Sequence, residues 1–144
     1  MKAESGVDGP TTQALKKYGT DAVIHFEEGL IGFSEYKYFV LLERPDIKPF
    51  RILQSIDSAE VMFLILDPVL LVPGYNTHVP AREWEAQGVF ELSERTALVI
   101  ASIGPTLSDS SANLQAPILI NRNTMNGRQV ILTDSGLSFR YPLS

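Results

Sequence analysis

Residues 111–121 read SANLQAPILIN, and this stretch joins a polar loop to a short apolar strand. Pro117 lies at the junction, and proline, which fixes φ and has no backbone N–H, is confined in sheets to strand starts and edges. Residues 118–120 (ILI) form an apolar run that is typical of a strand covered on both faces. We therefore predict that a polar loop carrying Asn113 and Gln115 is held at the start of a core strand.

Apolar runs of similar length recur along the chain, separated by turn-forming residues. Strands are predicted at residues 22–26, 38–42, 50–56, 61–66, 75–79, 96–103, 118–120 and 129–133. Residues 80–87 predict a short helix, because Pro80 suits a first turn, Gly88 suits the position after the end, and Trp84 provides an apolar contact. Strands and helices do not alternate, which argues against a parallel sheet. The pattern predicts a mainly β fold, an antiparallel β-barrel-like single domain or closed sandwich with one or two short helices.

Three local details extend this prediction. Asn126-Gly127 is a strong hairpin signal, and we prefer a four-residue loop at 124–127 that places Ile120 opposite Ile131. The glycine-bracketed residues 29–33 (GLIGF) predict a turn that carries Leu30 and Phe33 into the core. Gln54 and Ser55 stand near a strand end and are expected to be exposed.

Size and composition set the class of protein. The chain has 144 residues with a net charge of −5 and no cysteine. That length suits one domain, which we place at residues 13–144, after an expected flexible tail at residues 1–12. No signal peptide or membrane-spanning stretch is evident, so we expect a cytoplasmic protein. The negative charge disfavours direct binding of nucleic acid, which depends on clustered Lys and Arg.

Catalytic and cofactor-binding patterns are missing from the sequence. No paired acid and base, nucleophile motif or nucleotide-binding loop is present, so we expect neither an enzyme nor a cofactor. His25 and His78 lack the spacing of metal ligands, and a structural histidine is the better interpretation of His25. The residues favour a binding module without naming its ligand. Asn113 itself has two interpretations, a recognition residue or a residue that caps its own turn.

The order of several motifs resembles the flagellar assembly factor FliW family of bacteria. The resemblance is carried by residues 111–121, the Asn126-Gly127 hairpin with QVIL after it, and the terminal Arg140-x-Pro142-Leu143. Residues 29–33 (GLIGF), 53–55 (LQS) and 66–68 (LDP) match as well. The resemblance extends from about residue 18 to residue 143. Ser111 replaces a usual threonine and Leu137 a common aromatic residue.

This resemblance implies a monomeric, cytoplasmic protein-binding factor or chaperone in flagellum assembly. Such a factor binds the translational repressor CsrA, prevents it from blocking flagellin mRNA, and also binds flagellin, which couples flagellin secretion to its translation. The alternative is a β-barrel module that binds mRNA directly. We expect the binding surface to lie near six residues: Gln54, Asn113, Leu114, Gln115, Asn121 and Arg140. The competing interpretation is that Asn113 and Asn121 bond to the backbone and that Leu114 belongs to the core.

Overall fold

The computed structural model describes residues 22–144. Its nine strands are β1 (Val23–Phe26), β2 (Tyr38–Leu42), β3 (Arg51–Ser55), β4 (Met62–Leu66), β5 (Thr96–Ser102), β6 (Ser111–Ala112), β7 (Ile118–Asn121), β8 (Asn126–Gln129) and β9 (Tyr141–Pro142). The same range contains one α-helix, α1 (Ala81–Ala86), and short 3₁₀ turns at Pro45–Ile47, Pro68–Leu70, Tyr75–His78, Leu92–Glu94 and Leu107–Asp109. The expected tail at residues 1–12 lies outside the described residues. No helix in the described range is long and apolar enough to cross a membrane.

Seven of the strands close into a barrel, which confirms the predicted fold class. The strand order is β4-β3-β2-β1-β8-β7-β5, and a further pairing of β4 with β5 closes the ring. The β4–β5 pairing is antiparallel and places Ile65 opposite Ile100. One neighbouring pair, β1 and β8, is parallel, with His25 opposite Asn126. The sequence did not predict that parallel pair.

Strand β5 carries three neighbours on its two edges. One edge pairs with β4. The other edge pairs first with β7, where Leu98 lies opposite Ile118, and then with β6, where Ala101 lies opposite Ala112. β9 pairs with β6 and extends the sheet beyond the ring. The chain between β6 and β7, residues 113–117, therefore has to leave the edge of β5 and return to it.

Alternation along the strands produces two cores, because successive side chains of a strand point to opposite faces. The barrel interior is one buried cluster with contributions from six strands: Ile24, Phe26, Phe39, Leu53, Ile65, Leu98, Ile118 and Ile120, together with Leu30 from the loop after β1. The outer face of β5 and β7 supplies Val99 and Leu119 to a second cluster. Trp84 of α1 is fully buried in that second cluster, as its predicted contact role requires.

The predicted β7–β8 hairpin is present, but its turn lies elsewhere. Ile120 pairs with Gly127 and Asn121 with Asn126, so residues 122–125 form the turn and the preferred loop at 124–127 is wrong. Gly127 has a packing role instead, since a Cβ at this position would overlap the ring of Phe26. Asn121 supplies the turn chemistry through its side-chain oxygen, which accepts hydrogen bonds from the backbone N–H groups of residues 123 and 124.

Three smaller predictions also require correction. Residues 75–79 do not form a strand, since Tyr75–His78 is a 3₁₀ turn that begins after Gly74 in the left-handed region. Phe33 remains about one-third exposed and packs edge-on against Phe63, whereas Leu30 is buried as expected. Ser55 is buried, because its hydroxyl accepts two backbone N–H groups of the β3–β4 turn.

The packing role of Gly127 gives a stability prediction. Gly127→Ala should lower the free energy of unfolding by about 1–3 kcal/mol, because an added methyl group in a full core displaces the Phe26 ring. Chemical denaturation of Gly127→Ala, Phe26→Leu and the double variant measures this effect. Phe26→Leu should relieve part of the Gly127→Ala loss, and strictly additive losses would contradict the packing role.

Candidate protein-binding groove

Residues 113–117 cross from β6 to β7 through a turn that is built by Asn113. The backbone N–H of Asn113 donates to the Ile100 carbonyl at 2.9 Å, so the residue still touches the edge of β5. Its side-chain Oδ1 accepts the backbone N–H of Gln115 at 3.0 Å, which is the local turn bond that asparagine favours. The turn-capping interpretation of Asn113 is therefore correct for its Oδ1 atom.

Leu114 fixes this turn to the outer core. Its side chain is only 1% exposed and belongs to the cluster that contains Tyr75 and Trp84. Its backbone N–H donates to the Ser138 carbonyl at 2.9 Å, and its carbonyl accepts the Tyr75 hydroxyl at 2.5 Å. Leu114 therefore serves the core, as the competing interpretation held.

The far end of the turn is bonded to the chain that follows β8. The carbonyl of Gln115 accepts the backbone N–H of Leu132 at 2.7 Å. The side chain of Gln129 donates to the Ala116 carbonyl at 3.1 Å and accepts the backbone N–H of Ile31 at 2.9 Å. One glutamine thereby connects this turn with the loop after β1, and both become walls of the same groove.

An open groove with a volume of about 470 Å³ lies beside this turn. Its polar wall includes Asn113 and Gln129, and Arg140 lies on its rim. Its apolar residues come from three separate parts of the chain: Ile31, Ile100, Ile103 and Phe139. Ile100 also packs against the barrel-interior cluster, so the groove borders the barrel core.

The charged groups of the groove differ in how they are held. The Asp109 carboxylate accepts the hydroxyl of Thr106 at 2.9 Å and so faces its own loop. Arg140 is exposed, and within residues 22–144 its guanidinium has no hydrogen-bond or ion-pair partner. Among residues 22–144, Arg140 is therefore a cation without a partner beside the apolar side chains of the groove.

The structure brings only some of the predicted site residues together. Asn113 and Arg140 line the groove, and Leu114 and Gln115 belong to the turn that forms its wall. Gln54 lies in the β3–β4 turn, where its amide donates to the carbonyls of Ser55, Ser58 and Val61. Asn121 is buried and its amide donates to the Gln87 carbonyl at 3.0 Å. The contacts of these last two residues stabilise turns away from the groove.

Sequence reasoning missed the apolar lining. Ile31, Ile103 and Phe139 are 54%, 50% and 62% exposed. Each lies next to a strand or turn whose apolar residues are normally buried. The residue type alone therefore does not indicate that these three side chains are exposed. Three large apolar side chains that converge on one open groove are unusual for a solvent-facing surface and are typical of an interaction site.

A smaller polar cavity of about 240 Å³ lies where β1 and β8 pair in parallel. Glu27, Glu28 and His25 line it. The His25 ring stacks on Tyr38 with centroids 4.9 Å apart, which agrees with a structural histidine. In the part of the chain that the structure describes, no three side chains of metal-binding type are grouped closely enough to hold an ion.

The fold and the groove define a small closed β-barrel with a groove of mixed polar and apolar lining beside the turn at 113–117. A family model described as "FliW protein" matches residues 11–143. A flagellar assembly factor FliW from Leptospira interrogans (strain 56601) is 37% identical over 119 residues, covering 82% of this chain and 79% of the relative. The corresponding Bacillus subtilis (strain 168) protein is 31% identical over 123 residues, covering 85% and 86%.

A solved structure supports the same relationship at the level of the fold. The crystal structure of a flagellar assembly factor FliW superimposes with a TM-score of 0.78 at 33% identity, covering 86% of each chain. The chain belongs to the FliW family. The curated relatives bear the name of an assembly factor and not that of an enzyme.

The Tyr75–Leu114 hydrogen bond predicts a measurable contribution to the free energy of unfolding. Tyr75→Phe should lower the free energy of unfolding by about 1–3 kcal/mol, because the buried Leu114 carbonyl loses its donor. Thermal and chemical denaturation measure the loss, with Tyr38→Phe, at a half-buried ring, as the matched control. An equal loss in both variants would contradict a special role for the Leu114 contact.

The same tyrosine predicts a dependence on alkaline pH. Burial raises the pKa of Tyr75 above its ordinary value of 10.0, so the folded protein favours the neutral phenol. This contribution to stability is complete below pH 10 and is lost as pH rises above it, because the unfolded chain then releases the proton more readily. Unfolding titrations above pH 10 should therefore show a steeper loss of stability in the wild type than in Tyr75→Phe. An equal loss of stability with pH in the wild type and in Tyr75→Phe would contradict this effect of Tyr75 burial.

Proposed function

We propose that this protein acts in bacterial flagellum assembly by binding two proteins. It binds the translational repressor CsrA and stops it from blocking flagellin mRNA, and it binds flagellin. Free flagellin then competes with CsrA for the factor, so that flagellin secretion controls flagellin translation. Family membership supports the assembly role, and the resemblance in sequence supports the two partners.

The observation that carries a binding role is the groove. Its exposed Ile31, Ile103 and Phe139 share the groove with Arg140, whose guanidinium has no partner among residues 22–144, a combination suited to the burial of a partner's side chains. The walls are fixed by backbone bonds and by Gln129, so a partner meets a surface that needs little ordering on binding. In line with the family resemblance, we propose a monomeric, cytoplasmic binding factor without catalytic chemistry.

Direct binding of mRNA is the second candidate function, and the placement of the basic residues disfavours it. Arg128 pairs with Glu83 at 3.1 Å, and Arg44 pairs with Asp46 at 2.7 Å. The Arg95 guanidinium lies over the Trp84 ring, 5.6 Å from its centroid. These side chains are engaged within the protein, whereas affinity for phosphates needs several free cations on one surface. The net charge of −5 also disfavours direct binding of mRNA.

Size-exclusion chromatography with purified partners tests this proposal. The protein should co-elute with CsrA and with flagellin, and increasing flagellin should release CsrA. A flagellin leader RNA should shift in a gel with CsrA, lose that shift when the protein is added, and not shift with the protein alone. Absence of both complexes would contradict the proposal, and a salt-dependent RNA shift by the protein alone would favour direct RNA binding.

A further inference from the structure

We propose that Asn126 is a site of spontaneous deamidation and that Gln87 controls its rate by holding the end of β8 closed. Asn126-Gly127 is the only Asn-Gly pair of the chain. A glycine after asparagine has no side chain to hinder attack by its own backbone nitrogen, so this pair is the most reactive asparagine in an unfolded chain. The fold determines how often the reaction can occur. This modification site is independent of the proposed function.

The reaction needs only water. The backbone nitrogen of Gly127 attacks the side-chain carbon Cγ of Asn126, and the side-chain amide leaves as ammonia with the proton that the attacking nitrogen loses. The product is a cyclic imide. Water then breaks either of the two C–N bonds of the imide, which leaves an aspartyl residue or an isoaspartyl residue whose chain continues through the side-chain carbon. Each conversion consumes one water molecule and releases one ammonia, without oxidation or reduction.

The Asn126 side chain is available for this reaction. The residue is exposed, and its side-chain amide has no hydrogen-bond partner among residues 22–144. It lines the polar cavity of about 240 Å³ together with His25, Glu27 and Glu28. Water therefore reaches the Cγ carbon of Asn126, and no contact with a neighbour holds the side-chain amide in place.

The backbone around the pair blocks the attack while the barrel is closed. β8 has a neighbour on each side, since Asn126 pairs with His25 of β1 and with Asn121 of β7. Gly127 is buried within the same pairing. The cyclic imide requires a bend in the backbone at Asn126 that an extended, paired strand does not allow. Deamidation therefore requires β8 to separate locally from its neighbours.

Gln87, directly after α1, holds this end of β8. Its side-chain amide donates to the Asn126 carbonyl at 3.0 Å, and its side-chain oxygen accepts Arg128 Nε at 3.1 Å. Its backbone carbonyl accepts the Asn121 side-chain amide at 3.0 Å, so one residue bonds to both strands of the β7–β8 hairpin. These bonds oppose opening at Asn126 and so lower the population of the reactive, open form.

An isoaspartyl residue at position 126 would disrupt the barrel at β1 and β8. It adds one carbon atom to the backbone of β8, so the residues after it lose their register with β1 and β7. Gly127 would move from its place against the Phe26 ring, where an added Cβ does not fit. The new carboxylate also adds negative charge to the cavity that Glu27 and Glu28 line. A chain that reacts while open therefore closes to a less stable barrel.

Peptide mass spectrometry of protein incubated at mildly alkaline pH tests the proposal. In guanidinium chloride, where the chain is unfolded, Asn126 should deamidate faster than the other asparagines, Asn76, Asn113, Asn121 and Asn123. In the folded wild type the rate at Asn126 should be lower by at least about 10-fold, because the open form is rare. Equal rates in the folded and unfolded chain, or faster deamidation of another asparagine in guanidinium chloride, would overturn the proposal.

Variants of Gln87 test its control of the rate. Gln87→Leu removes both side-chain bonds, so the folded variant should deamidate about 3- to 10-fold faster than the wild type. Gln87→Glu, which keeps an acceptor for Arg128 but loses the donor to Asn126, should also raise the rate. In guanidinium chloride all three proteins should react equally fast, because the Asn126-Gly127 pair itself is unchanged.

Tyr75→Phe is the control for general destabilisation, because its lost hydrogen bond lies at the turn 113–117, away from β8. The global stability of each variant is measured by chemical denaturation. If Gln87→Leu and Gln87→Glu deamidate no faster than Tyr75→Phe once global stability is taken into account, the role of Gln87 is overturned.

The stability of the modified protein tests the effect on β8. Chains are deamidated in guanidinium chloride, refolded, and separated by chromatography into aspartyl and isoaspartyl forms. The isoaspartyl form should unfold at a lower denaturant concentration than the variant Asn126→Asp, in which only the charge is new. Equal stability of the two would overturn the predicted loss of register in β8.

Discussion

The structure depends on the way two strands share one edge of β5. A strand edge can bond to only one neighbour at each position, so β7 takes one half of that edge and β6 takes the other. Residues 113–117 must connect the two without a strand partner of their own. Their polar backbone groups then need other partners, and Ile100, Ser138, Tyr75, Leu132 and Gln129 supply these bonds.

These substitute bonds connect parts of the chain that are far apart in sequence. Tyr75 joins the turn to the outer core around α1, and Gln129 joins it to the loop after β1. The C-terminal chain bonds to the turn through the Ser138 carbonyl, and the N–H of Leu143 bonds to the carbonyl of Ser110, just before β6. The groove is the open space that remains between these parts. Its shape therefore follows from the strand-edge constraint.

Much of the barrel could be predicted because apolar runs report buried strands directly. Residues 38–42 formed a strand with the predicted limits, and Trp84 was correctly placed as the contact of a short helix. The hairpin turn could not be predicted from Asn126-Gly127, since the same glycine that suits a turn also suits close contact with Phe26. That contact depends on the parallel pairing of β1 and β8, which local sequence does not encode.

The candidate site was less predictable than the fold. Asn113 and Arg140 were identified from sequence and line the groove, but Asn121 and Gln54 use their amides in distant turns. Ile103 and Phe139 resemble core residues in sequence, and only the tertiary structure leaves them exposed. Exposure of an apolar side chain is a property of packing between distant segments, so periodicity along one strand does not report it.

Hydrogen exchange of the free protein tests most directly whether residues 113–117 form a rigid support for the groove. The amide N–H groups of Leu114 and Leu132 bond to the carbonyls of Ser138 and Gln115. If the support is rigid, these amides exchange as slowly as those in the middle of β5. Exchange of these amides at the rate of exposed loops would contradict a rigid support.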